Sequence, residues 1–149
     1  VLSVHKDRLA RQGKPIPAAF AGRTALRRTE GYTAPTINDP VLAIAKPLAN
    51  KGTALLVVNR GDTTQPGVIV AFDDMHTWPE NPAPALSQTV YDLWNGPSPA
   101  RSASCCLRLP PLAAHASRFL RLAPAKAANE QPGACDKYRS DFKLCTLID

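Results

Sequence analysis

Asp73 and Asp74 stand side by side where the apolar run GVIVAF, residues 67–72, comes to an end. Two carboxyl groups that face each other can divide the work of general acid and general base. Neighbours at the end of a strand point to opposite sides, so this pair is read as the opening of a turn. Asp62 and Asp92 adjoin turn residues and are read the same way. His5, His76 and His115 have no acid, serine or cysteine at a recognisable spacing and are read as surface or packing residues. A triad drawn from distant positions is something only the fold can bring together. No catalytic residue is assigned on these grounds.

Cys105 and Cys106, with His115, are residue types that hold zinc. Adjacent strand residues point to opposite faces, a poor start for one tetrahedral ion, so neither a metal site nor a cofactor is expected. The same geometry argues against a bond between the two cysteines. Cys135 and Cys145 are the better-placed pair. Their bond would close a short loop, worth about 2 to 3 kcal/mol on a chain-entropy estimate, and would suit a secreted or vacuolar/lysosomal compartment. The alternative, one tail cysteine bonded to Cys105 or Cys106, stays open. Arg60-Gly61-Asp62 spells an adhesion tripeptide, which a turn between two apolar runs accounts for. Trp78 lies in the proline-rich stretch MHTWPENPAPAL, residues 75–86, and is the candidate for a sugar or partner contact, since loops on a rigid scaffold often carry function. Trp94 ends an extended run at a turn and is expected to pack at one end of the fold.

The elements that must position these residues are short and extended. VLAIAKPL (41–48) puts Val41, Ala43 and Ala45 on one face and Leu42, Ile44 and Lys46 on the other. TALLVVNRG (53–61) is apolar on both faces and reads as a central strand. GVIVAF (67–72), SQTVYDLW (87–94), SCCLRLPP (104–111) and SRFLRLAP (117–124) follow, with turn signals such as Asn95-Gly96-Pro97 between them. Such alternation with no intervening helical pattern predicts an all-β fold, an antiparallel sandwich or barrel. Ahead of these strands, Leu2, His5 and Leu9 recur at helical spacing until Gln12-Gly13, and Pro15 and Pro17 follow. That stretch reads as the last turns of a larger unit. From Ala125 onward the chain turns polar and reads as a tail, held down only if its cysteines are bonded.

The totals agree with this picture. At 149 residues the chain is one ordinary domain with a tail, and its 44% apolar content, spread along the sequence, can fill a core. Fifteen prolines against eight glycines favour short strands and turns over long helices. No apolar run approaches the roughly 18 residues of a membrane-spanning helix, so no membrane span is expected. The net charge is +6, but the basic residues are scattered, with Arg23, Arg27 and Arg28 the densest group. They form no stripe interleaved with aromatic rings, and no nucleic-acid partner is expected.

The order of these pieces resembles family 27 of the glycoside hydrolases, the α-galactosidases or melibiases. Val1 to Leu9, VLSVHKDRL, with Gln12-Gly13, resembles the segment VIAVNQDPLG-QG that closes the last helix of that family's catalytic (β/α)8 barrel. Residues 42–48 resemble the strand EVWAKPL, and ALLVVNRG (54–61) resembles AVALFNRG. VYDLW (90–94) resembles VRDLW, and Leu109-Pro110-Pro111 with His115 and residues 119–122 resembles VPPHGSVLLRL. There are departures: His5-Lys6 for Asn-Gln, Arg8 for proline, Ala10-Arg11 for glycine, a longer insert before His115, and a tail with no counterpart. The resemblance implies a C-terminal antiparallel β-sandwich of Greek-key type over 18–124. It would be preceded by the end of a missing barrel and a linker over 1–17 and followed by a Cys-containing tail over 125–149. It also implies that the two catalytic aspartates of a retaining glycosidase lie on barrel strands upstream, because nothing in this chain matches their motifs. The parent activity would be hydrolysis of terminal α-galactosides, and an α-N-acetylgalactosaminidase or arabinopyranosidase would look alike. The expected partner is the barrel of the same parent, with a role in subunit contacts of a homo-oligomer. The alternative is a stand-alone sandwich that binds a glycan or serves as a structural subunit.

Overall fold

The computed structural model describes residues 13–16, 19–20, 39–48, 52–75, 87–94, 100–125, 135, 137–138 and 141–149. Of the stub and linker expected over 1–17, residues 1–12 and 17 lie outside the described residues, as does the loop with His76 and Trp78. Among the described residues there are ten strands: β1 (Lys14–Ile16), β2 (Ala19–Phe20), β3 (Val41–Pro47), β4 (Thr53–Asn59), β5 (Val68–Ala71), β6 (Ser87–Asp92), β7 (Arg101–Ser104), β8 (Cys106–Arg108), β9 (Ser117–Pro124) and β10 (Thr146–Leu147). Six make one sheet in the order β1-β3-β4-β9-β6-β7, and four make a second in the order β10-β8-β5-β2. Every pairing is antiparallel except β10 with β8. The fold is the antiparallel β-sandwich that the alternation predicts.

Period-two patterning decides which residues face the core. Val41, Ala43 and Ala45 are buried along β3, while Leu42, Ile44 and Lys46 alternate with them on the outside. Leu55 and Val57 of β4 and Leu120 and Leu122 of β9 supply the large sheet's inner face. Val68 and Val70 of β5, Leu107 of β8 and Phe72 join them in one core cluster. The doubly apolar β4 lies between β3 and β9, an interior strand as its composition requires. Asp73 and Asp74 fall in a 3-10 turn over Phe72–Met75.

Four strands were not foreseen, each for a physical reason. Pro15 argues against a strand in isolation, yet β1 is an edge strand, where a missing N–H is tolerated. β2 is two residues long and carries no pattern. β7, RSAS, buries only Ala103, so its polar composition hides it. It also divides the run expected as one strand over 104–111. Cys105 takes a left-handed φ of 63°, which turns the chain out of the six-stranded sheet and into β8 of the other. The tail, expected to be irregular, ends in a second 3-10 turn, Phe142–Leu144, and then β10.

Candidate interaction surface

A sandwich strand usually shows apolar residues to the core and polar ones to water. β3 and β4 do not, because Leu42, Ile44, Leu56 and Val58 all point away from the core. Register turns this into a continuous row across the large sheet. Pro15 stands opposite Ile44, Ile44 opposite Leu56, and Leu56 opposite Phe119. Leu93 extends the row, its N–H donating to the Phe119 carbonyl at 2.8 Å. Leu48 and Ala54 are buried in a small cluster with Leu93 and Phe119, separate from the main core. One register step away, Arg121 sits opposite Tyr91, its guanidinium 5.4 Å from the ring centre.

Trp94 ends this row and is 53% exposed. Its ring lies 5.8 Å from that of Phe119 at a tilt of 55°, a favourable aromatic arrangement. Asp92 fixes the turn that carries it. One carboxylate oxygen accepts from the Trp94 N–H at 2.8 Å, and the other meets Arg118 Nη1 at 2.8 Å. Asp92 is buried, and a buried carboxylate needs such partners. Trp94 was expected to pack at a sandwich end. Its ring does pack against Phe119, but 53% of the residue stays open to solvent.

The tripeptide Arg60-Gly61-Asp62 is a turn held from below. Asn59 is completely buried, and its Nδ2 donates to the carbonyls of Thr63, Leu112 and Ala113 at 2.8, 3.0 and 2.9 Å. Its Oδ1 accepts from the Gly61 N–H at 3.0 Å. Arg60 donates to the Asp39 carbonyl at 2.7 Å, so its side chain is engaged by its own fold. Asp62 lies 3.2 Å from His115 Nε2, an acid that sequence spacing did not supply because it comes from another loop. Both side chains are open to solvent, at 95% and 68% exposure, so this is a surface contact worth little to stability. Among the described residues, no three of His, Cys, Asp and Glu cluster closely enough to hold a metal ion. No helix among them is long and apolar enough to cross a membrane.

The expected Cys135 to Cys145 bond is not the one formed. Cys135 bonds Cys105 and Cys145 bonds Cys106, the open alternative realised twice. The sheet-switching corner explains it: the kink at Cys105 presents two adjacent sulfurs to the tail without requiring them to bond each other. The bridges span separations of 30 and 39 residues; either one alone contributes about 3 to 4 kcal/mol by chain entropy, and the second, closing only the short stretch from Cys135 to Cys145, adds less.

The geometry therefore defines a two-layer β-sandwich with a second apolar face and a covalently fastened tail. The family model for the alpha galactosidase C-terminal beta sandwich domain matches residues 38–122, and the chain belongs to that family. Among solved structures, alpha-galactosidase I from Mortierella vinacea is similar at 22% sequence identity with a TM-score of 0.50. That alignment covers 63% of this chain and 23% of the Mortierella enzyme, so the chain spans under a quarter of it, and the likeness is one of fold. No curated protein matches the chain.

Proposed function

We propose that this chain is the non-catalytic C-terminal sandwich of an α-galactosidase-like glycoside hydrolase, and that the outer face of its six-stranded sheet covers a flank of the parent's catalytic (β/α)8 barrel. The observation that carries the reading is the row Pro15, Ile44, Leu56, Phe119 and Leu93, on the side of β3 and β4 that does not face the core. Ile44, Leu56, Phe119 and Leu93, partly buried within this chain, are stabilised by further removal from water. Gly13, directly ahead of β1, lies on the same side. A Cβ placed on Gly13 would lie 2.8 Å from Ile44 Cγ2, so Gly13 rests against one end of the row. The parent would hydrolyse terminal α-galactosides with two aspartates carried by the barrel. The paired disulfides favour a secreted or vacuolar/lysosomal compartment.

The test is the intact mass and N-terminal sequence of the protein from its native source, with hydrolysis of p-nitrophenyl α-galactoside measured on that species and on this chain alone. The expected result is a longer polypeptide that is active and a 149-residue chain that is not. A native species that begins at Val1, with no barrel accompanying it, overturns the reading. That result would favour the second one, a stand-alone glycan-binding module, for which exposed Trp94 is the specific support. Quenching of tryptophan fluorescence by galactose or melibiose would then be its signature.

A further inference from the structure

The last residues of the chain touch both sheets at one corner. Thr146 and Leu147 pair with Leu107 and Arg108, making β10 the outermost strand of the small sheet. The Ile148 N–H donates to the Arg108 carbonyl at 2.9 Å, and its side chain is buried in the core cluster. Asp149 reaches Arg101 Nη2 at 3.0 Å, on β7 of the large sheet. With the tail removed, β8 would be the edge strand. A two-residue strand is too short to hold itself in register, and the Arg101–Asp149 pair is half-exposed and weak. The two bridges keep the tail close by raising its effective concentration at β8. The family match ends at residue 122, so the strands that build the sandwich from β3 to β9 do not include the tail.

We propose that Cys135 and residues 141–149 form a disulfide-locked strap, a redox-sensitive element whose release uncovers the β8 edge and the Ile148 position while the sandwich itself stays folded. Each bridge opens by accepting two electrons and two protons from a dithiol, which leaves two protein thiols and one oxidised reductant. All four cysteines are buried, so attack on them follows local opening of the strap.

The experiment is hydrogen exchange on the full chain, oxidised and in dithiothreitol, with iodoacetamide labelling to confirm four free thiols. Three amides report separately: Ile148 on the strap, Leu109 bonded to the Val68 carbonyl in the small sheet, and Asn59 bonded to the Ala116 carbonyl beside the large sheet. On reduction, exchange at Ile148 should rise at least about 100-fold, while Leu109 and Asn59 change less than about threefold. A joint rise at all three positions overturns the proposal, because the bridges would then hold the whole sandwich. Retained protection at Ile148 overturns it as well, because strand pairing alone would then hold the tail. Cys106→Ser with Cys145→Ser, which leaves the Cys105–Cys135 bridge in place, gives an independent reading. Ile148 should lose protection in this variant without reductant, and full protection there counts against the strap.

Discussion

At the scale of single residues, the polar group that matters most is one with no chemistry to perform. Asn59 has two N–H hydrogens and three carbonyl acceptors around its Nδ2, so one hydrogen is shared. The side chain ties the turn after β4 to the loop before β9, and it does so where no water reaches. Asn59→Asp would aim a carboxylate at three carbonyl oxygens. A buried charge facing like dipoles is expected to cost about 3 kcal/mol or more, enough to lower the melting temperature by roughly 10 °C in a domain of this size. Thermal unfolding of the variant checks this, and a change of only a degree or two would mean that the loop contacts are dispensable. Asp92 works by the same logic across β9 from Asn59, where one buried carboxylate satisfies both Arg118 and the turn beneath Trp94.

At the scale of elements, the two faces of β4 carry different burdens, and adjacent leucines separate them. Leu55 is fully buried in the core, whereas Leu56 lies on the outer row between Ile44 and Phe119. Leu55→Ser leaves a cavity and an unpaired hydroxyl and should cost about 3 to 5 kcal/mol. Leu56→Ser should cost about 1 kcal/mol in the isolated chain, since its face keeps contact with water. Denaturant unfolding of the two variants measures both values. Equal losses would mean that the outer face is already covered within this chain. Strands of this kind were legible in the sequence because apolar residues, alternating in β3 and β6 and nearly continuous in β4 and β5, are bounded by turn residues: β3, β4, β5, β6 and β9 lie where those signals placed them. The short edge pieces were not, because β1, β2, β7 and β10 are held by neighbours distant in sequence and carry no pattern of their own. The outer row was half-legible. The double apolarity of β4 was visible and read as central placement, but the alignment of Ile44, Leu56 and Phe119 depends on register between strands far apart in the chain. The disulfide pairing failed for a related reason: the argument from alternating faces assumed a straight strand, and Cys105 is a corner.

At the scale of the whole molecule, the question is what an apolar face does when the surface it fits is not there. The row from Pro15 to Leu93 and the half-exposed Trp94 lie on one side of a sandwich whose other sheet turns Val68, Val70 and Leu107 into the core and packs Ile69 and Cys106 against Cys145 and Tyr138 of the tail. A positively charged chain resists self-association through repulsion, while an apolar face favours it, and salt weakens only the first effect. The isolated chain is therefore expected to self-associate, more strongly as salt is raised. Ile44→Lys with Leu56→Lys places two charges in the middle of the row and should return the chain to a monomer, with stability changed by only about 1 to 2 kcal/mol. Sedimentation velocity across a range of concentration and salt measures this directly. If the charged variant associates as the parent chain does, the contact lies on another surface, and the outer face loses its standing as the side that meets the barrel. If it becomes monomeric and, in the full-length enzyme, the same substitutions loosen the sandwich from the barrel, then one face accounts for both behaviours.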